Sequence, residues 1–304
     1  MAPTKGAHPV SIPRPGSGRI TLALLAVVPA VLAYPWQTTR HYWLLGIAAA
    51  VVIVLFGWWR GLYFTTMLRR RCAIIGRRRG VTDRGSDTRS TALLWVKPPA
   101  ADADLPPVPL IARYLDAYGI RADTIRITSR DTAAGERQTW IGLTISATDN
   151  LAALQARSAR IPLHETAEVA ARRLADHLRE IGWEAGTVVP EDIPVLVAAD
   201  ARETWAALCQ GDSDYLTAYG ISNAVELPET LAAIRAHPAR ETWTALEIAG
   251  DRSNYTVAAA CAFRTDERPG GPPPVAGLIV QRGQQLPALL AMDPPATRRL
   301  AAAR

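Results

Sequence analysis

The reading of this chain turns on Ile20–Thr39, ITLALLAVVPAVLAYPWQTT, and His41–Trp59, HYWLLGIAAAVVIVLFGWW. Arg19, Arg40 and Arg60 bracket these two runs, and a triple arginine follows at Arg69–Arg71. Neither run contains an acidic, lysine or arginine side chain over its 20 and 19 residues. A helix rising about 1.5 Å per residue needs about 20 residues to cross ~30 Å of hydrocarbon. Each run is therefore expected to cross a membrane once, the first over about 20–36 and the second over about 42–62. The second is the better helix former. Tyr42 and Trp43 mark one edge and Trp58 and Trp59 the other, as interfacial aromatic residues do. Pro29 weakens the first run, because its missing N–H must be compensated by a neighbouring helix. The short stretch Pro35–His41 predicts an antiparallel hairpin.

Arg14, Arg19, the apolar run and Val31-Leu32-Ala33 also spell a secretory signal with a cleavage site after Ala33. Such cleavage would leave only eight residues before the next span, so the uncleaved hairpin is the simpler account.

Charge sets the expected orientation. The arm before the first span carries Lys5, Arg14 and Arg19, and the loop carries Arg40 alone. Arg60, Arg69, Arg70, Arg71, Arg77, Arg78, Arg79 and Arg84 follow the second span. The positive-inside rule then places both termini in the cytoplasm, with the protein in the plasma membrane. The residues expected to position it at the membrane surface are Trp58, Trp59, Arg60, Arg69, Arg70 and Arg71. Anionic lipid headgroups are the expected partner of the arginines, and nucleic acid is not.

Of the 34 basic and 28 acidic residues, 12 and one respectively lie before residue 85, leaving 22 and 27 behind them. The basic excess thus belongs to the anchor, and the remainder is mildly acidic, unlike a nucleic-acid-binding domain. Cys72, Cys209 and Cys261 lack metal or disulfide spacing and read as reduced thiols.

The expected organisation is a disordered arm at 1–18, the two helices within 19–68, a basic linker at 69–90, and a cytoplasmic α/β (α+β) domain at 91–304. Ala100–Pro109 should be an extended connector. YLDAYGI at Tyr114–Ile120 recurs as YLTAYGI at Tyr215–Ile221, and QTWIGL at Gln138–Leu143 recurs as ETWTAL at Glu241–Leu246. These repeats predict an internal duplication, about 108–200 and 201–304. Each half would hold a helix ending at glycine, a strand, and a Trp-containing strand. ARETWAAL at Ala201–Leu208 is a further copy of the last element. Alternation over Thr139, Ile141, Leu143 and Ile145 puts Trp140 on the opposite face. The tryptophans could form a docking surface, but packing of sheet against helix is the more economical reading.

His164–Gly182 carries Ala167, Ala170, Ala171, Leu174, Leu178 and Ile181 as an apolar stripe and should cover a sheet. Further strands are expected at Thr91–Val96, Asp123–Thr128, Val195–Ala198, Tyr255–Phe263 and Val275–Gln281. Arg264–Pro274 should be a connecting loop, and Ala296–Arg304 a final helix.

No catalytic constellation stands out. The chain has no GxxxxGK[ST] and no GxSxG, and Glu168 occupies the place where HExxH would need its second histidine. No cofactor or metal is expected. Asp212-Ser213-Asp214 resembles the paired aspartates that hold a divalent cation in glycosyltransferases, yet GDSDY is equally a turn with Asp214 as a helix cap.

A short arm, two spans, LYFTTMLRRR at Leu62–Arg71, and an Ala-, Arg- and Trp-rich domain with repeated TW strands resemble the EccE family, membrane subunits of actinobacterial type VII (ESX) secretion systems. The short chain looks most like the paralogue of the iron-linked system. Membership implies a non-catalytic peripheral subunit assembled with EccB, EccC and EccD, in which EccC is the ATPase. Two rivals remain: a membrane-anchored glycosyltransferase-like enzyme using Asp212 and Asp214, and a lipid-binding regulator.

Overall fold

The computed structural model describes residues 17–32, 34, 39–56, 58–59, 62–77, 88–99, 105–158, 161–222 and 226–301. The expected arm before residue 17, Arg60, the cleavage site at Ala33, much of the linker and connector, and the last three residues lie outside them. The chain divides into two units, Met1–Ala73 and Ile74–Arg304.

The first unit holds α1 (Ser17–Leu32) and α2 (Thr39–Phe56), which pack on one another. Their surface is apolar and outward: Leu24, Leu25, Val31, Leu32, Trp43 and Ile47 are all more than half exposed. Among the described residues no helix is long and apolar enough to cross a membrane. The second helix was expected to run to about residue 62, but α2 ends at Phe56. Trp58–Trp59 (β1) instead pairs antiparallel with Leu62–Tyr63 (β2). Gly57 and Gly61, poor helix formers, flank this change. Arg69–Arg71 then lie within α3 (Phe64–Arg77), so the start of the expected linker is helical.

The second unit is α+β and antiparallel throughout its described pairings. Its elements are β3 (Arg89–Lys97), α4 (Val108–Ala112), β4 (Asp116–Ala117), β5 (Ile120–Thr132), β6 (Arg137–Ser146), α5 (Leu151–Gln155), α6 (Leu163–Glu180), β7 (Glu184–Thr187), β8 (Arg202–Glu203), β9 (Leu208–Gln210), β10 (Asp214–Ile221), α7 (Leu227–Ala236), β11 (Glu241–Gly250), β12 (Tyr255–Thr265), β13 (Leu278–Val280) and α8 (Gln285–Met292). The sheet runs β7-β3-β6-β5-β11-β12-β10-β9-β8, with β13 also pairing β10 and β4 pairing β5. In β7-β3-β6-β5 two parallel strands, β3 and β5, enclose the antiparallel β6, a split βαβ arrangement. In β13-β10-β12-β11 the strands β10 and β11 enclose β12 in the same way. The two sets join where β5 pairs with β11 from Ile125↔Ile248 to Thr132↔Glu241.

The repeated heptads do not occupy equivalent places in these sets, and neither is a helix. Tyr215–Ile221 is strand throughout, within β10. Tyr114–Ile120 instead folds as a 3-10 turn, β4, a two-residue turn, and the first residue of β5. The copies differ at one position, Asp116 against Thr217. Thr217 is a buried β-branched residue suited to a central strand, whereas exposed Asp116 suits a chain about to turn. ARETWAAL is also not one strand. Thr204 closes a turn onto Ala207 between β8 and β9, through Ala207 N–H to Thr204 Oγ1 at 3.1 Å and Thr204 Oγ1 to the Ala207 carbonyl at 2.7 Å.

Side-chain alternation divides the core between the faces of the sheet. Leu94, Ile127, Ile141, Leu143, Leu246 and Cys261 belong to one cluster, closed by α4, α6 and α7. Their neighbours Leu93, Trp140, Ala245, Ala260 and Ala262 belong to the other, with Leu289 and Met292 of α8. The stripe expected on α6 is present: Ala167, Ala171, Leu174 and Leu178 are fully buried, although Ile181 is half exposed. Gly182, at φ +92°, ends that helix in a conformation that favours glycine. Trp140 and Trp243 stack, centroids 6.0 Å apart, inside the second cluster, so they pack the core and present no docking surface. Val195–Ala198 is not a strand, and its Leu196 carbonyl accepts from Arg264 at 2.9 Å.

The expected final helix at Ala296 is absent among the described residues. Pro294 and Pro295 stop α8 from continuing, and the segment after it crosses the sheet instead. Arg126 of β5 and Glu247 of β11, directly opposed, form an ion pair of 2.6 Å with both side chains at most 4% exposed. Arg126 also donates to the carbonyls of Asp293, Ala296 and Arg298, while Glu247 accepts from Leu300 N–H at 3.0 Å. Burial raises the Asp293 carboxyl pKa against the opposing pull of Arg126. Gly142 lies opposite Arg126, where any Cβ would sit 2.4 Å from the Pro294 carbonyl oxygen. Removing one partner of a buried pair strands the other charge, at about 3–5 kcal/mol. Glu247→Ala should therefore lower the melting temperature sharply and expose the C-terminal segment to protease. The double variant Arg126→Met/Glu247→Leu should be much less damaging, as judged by thermal melts of the two proteins side by side.

Candidate functional site

Of the residues expected at the membrane surface, Trp58 and Trp59 form β1, Arg60 lies outside the described residues, and Arg69–Arg71 share α3. Arg69 and Arg71 are exposed; Arg70 is half-buried, and that burial lowers its pKa. Leu68 and Ile75 are also exposed on this helix, at 54% each, so cations and apolar side chains both reach its surface.

The aspartate pair is not an open cation site. Asp214 starts β10, and its carboxylate is held by Arg264 at 2.8 Å and Arg240 at 3.1 Å. It caps no helix. A divalent ion would have to displace two guanidinium groups whose charge already balances the carboxylate. The same cluster continues through Glu241, which meets Arg264 at 3.1 Å, contacts Arg130, and accepts from Trp243 Nε1 at 3.3 Å. Burial alone would raise the Glu241 pKa, but the hydrogen bonds from Arg130 and Trp243 and the Arg264 charge outweigh it and hold the group below the usual carboxylate range. Among the described residues no group of three or more histidine, cysteine or acidic side chains could hold a metal ion. Cys261 is wholly buried, which raises its thiol pKa and leaves it inert.

A groove of about 260 Å³ lies between the first heptad and α6. Ile120, Ala122 and Leu143 form its apolar lining from the sheet, and Tyr114 and Tyr118 border it on the heptad side. Glu165, Val169, Ala170 and Arg173 contribute from α6. Positions 165, 169 and 173 lie four apart on one face, so the backbone positions of Glu165 and Arg173 are about 12 Å apart along the helix. The Tyr114 hydroxyl donates to the Arg173 carbonyl at 3.0 Å, and burial raises its pKa to about 12, keeping it a donor. Arg173 stacks over Tyr118, 4.2 Å from the ring centroid, and Arg157 donates to the Tyr118 carbonyl at 3.4 Å. Neither guanidinium has a carboxylate within ion-pair distance among the described residues.

Tyr118 and Gly119 form the two-residue turn between β4 and β5, with φ of 57° and 69°. Turns with positive φ at both central residues favour Asn-Gly or Asp-Gly. A tyrosine there costs about 1–2 kcal/mol, and this one is 63% exposed, so burial offsets little of that cost. Sequence reading took this heptad for a helix and missed the groove. The available signal was Tyr-Gly after Asp-Ala, a turn pairing outside its usual composition.

Comparison with known proteins agrees with the sequence resemblance. Residues 133–221 match the family model described as "Putative type VII ESX secretion system translocon, EccE". The chain is 68% identical over 289 residues to the ESX-3 secretion system protein EccE3 of Mycobacterium tuberculosis (strain H37Rv), covering 94% of this chain and 87% of that protein. It is 47% identical over 285 residues to the EccE3 protein of Mycolicibacterium smegmatis, covering 93% and 90%.

Replacing Tyr118 by Asn tests whether this turn is kept for stability. Asn tolerates the left-handed conformation, and the relief of about 1–2 kcal/mol should match or exceed the cation–π attraction between the ring and Arg173, about 0.5–1 kcal/mol. The melting temperature of Tyr118→Asn should be unchanged or higher; a clear fall would mean that the tyrosine stabilises the fold. The conclusion from sequence, fold and relatives together is that this chain belongs to the EccE family of type VII (ESX) secretion proteins.

Proposed function

We propose that the protein is a non-catalytic membrane subunit of a type VII (ESX) secretion complex. In this reading α1 and α2 cross the plasma membrane as a hairpin with both termini in the cytoplasm. The α+β domain then supports assembly and secretion at the periphery of the complex, beside EccB, EccC and EccD. The observation that carries this is the outward apolar surface of α1 and α2, which in water would be an exposed hydrophobic patch of the kind soluble proteins avoid. The described helices, at 16 and 18 residues, stop short of the ~30 Å hydrocarbon, and the reading takes its spans from the uncharged runs of 20 and 19 residues, about 30 and 29 Å as helix. Trp58, Trp59, Arg60, Arg69, Arg70 and Arg71 follow the second run in sequence, and in this reading they meet headgroups, where each cation near an anionic surface contributes about 1 kcal/mol. The relatives' name, secretion system protein, supports the assignment to the complex.

Exposed Cys72 reports orientation beside the arginines. In a Cys209→Ser background, a membrane-impermeant maleimide should label Cys72 in inverted vesicles and not in intact cells. Changing Arg69, Arg70 and Arg71 together to Glu should reverse that pattern or cut recovery of the co-purifying EccB, EccC and EccD. Unchanged labelling and unchanged recovery would overturn the assignment of these arginines.

The enzyme alternative is best tested at Asp212, which is exposed in the turn before β10. Asp214→Ala is a poor test, because it strands Arg264 in a mostly buried cluster. Asp212→Ala should leave secretion unchanged. Lost secretion with the complex intact would instead favour chemistry at this turn.

A further inference from the structure

The groove between Tyr118 and α6 has features that neither the fold nor the anchor explains. Its volume of about 260 Å³ is smaller than the ~300–1,000 Å³ of small-molecule sites, and among the described residues no metal-ligating cluster adjoins it. Its floor is apolar, while Val169 and Tyr118 are 42% and 63% exposed at its rim. Two arginines, 157 and 173, converge on the Tyr118 turn without a carboxylate partner among the described residues. The one acidic side chain of the lining, Glu165, stands two helical turns from Arg173.

We propose that this groove receives a short segment of a neighbouring protein chain, in which a large apolar side chain is flanked by an acidic residue. The apolar side chain would enter between Tyr114, Val169 and Leu143. The acidic residue would lie at the Arg157–Arg173 end, where it supplies the missing carboxylate to a guanidinium already oriented by stacking on Tyr118. Glu165 at the other end argues against a lipid phosphate, which it would repel, and favours a polypeptide able to present an N–H or a cation there. The strained turn fits this role, since it holds Tyr118 outward over Arg173 at a cost to the free protein. The proposal rests on the reading of this protein as a subunit of a multi-protein assembly.

A photo-crosslinking residue in place of Val169, in the full-length protein within its native membrane, tests it. The expected product is a crosslink to another subunit, on a peptide where an apolar residue neighbours Asp or Glu. Arg173→Glu in the same background should lower the crosslink yield by about tenfold, as expected for reversing one charge of a desolvated pair, and Arg173→Lys should restore much of it. Tyr118→Asn should lower the yield without lowering the melting temperature, which separates impaired docking from impaired folding. A crosslink to lipid, a peptide without an acidic neighbour, or a yield indifferent to Arg173→Glu would overturn the proposal. No crosslink from a protein that still co-purifies with the other subunits would overturn the groove assignment and leave the subunit reading intact. Failure of the unmodified protein to co-purify with any ESX subunit would overturn both.

Discussion

The α+β domain depends on the seam where β5 meets β11. Each side of that seam is a small antiparallel sheet with two parallel strands enclosing a third, and the pairing of β5 with β11 makes them continuous. At its centre Arg126 faces Glu247, both buried, and the charge pair is completed by backbone groups of residues 293–300. A buried pair of this kind is worth little against an apolar replacement, but it is unforgiving of a missing partner. The path that the C-terminal segment takes offers carbonyls to Arg126 and an N–H to Glu247, and Gly142 leaves that path room.

The seam also determines what each face of the sheet can do. One face is closed by α6 and its fully buried Ala and Leu stripe, the other by α8, the C-terminal segment and the stacked Trp140–Trp243 pair. Charged side chains between them are largely satisfied internally, as at Asp214, Glu241 and Arg264. The groove beside Tyr118 departs from this pattern, with arginines lacking carboxylates and an exposed aromatic ring held in a strained turn. In the first unit the departure is of another kind, apolar side chains facing outward along two helices.

What the sequence by itself determined follows from one-dimensional pattern. Charge counting separated a basic N-terminal region from an acidic domain, and uncharged apolar runs located α1 and α2. Period-two alternation found β6, short strand-like segments marked β3, β5 and β12, and the 3.6-residue stripe found α6. The family resemblance rested on the same local features. The extent of the second helix was less secure, because apolar composition continues past Phe56, where α2 ends and β1 begins.

Only the tertiary structure decided how the repeated heptad folds, since its local preference is nearly balanced between turn and strand. Asp116 can end a strand pair and Thr217 can fill one, but the neighbours β5 and β12 make the choice. It likewise decided that Asp214 is an ion-pair partner, that Trp140 and Trp243 are core, and that α8 ends in a segment fixed by Arg126. The groove was invisible for the same reason. Its lining comes from Tyr114, Leu143 and Arg173, far apart in sequence, and a concavity exists only once α6 has packed on the sheet.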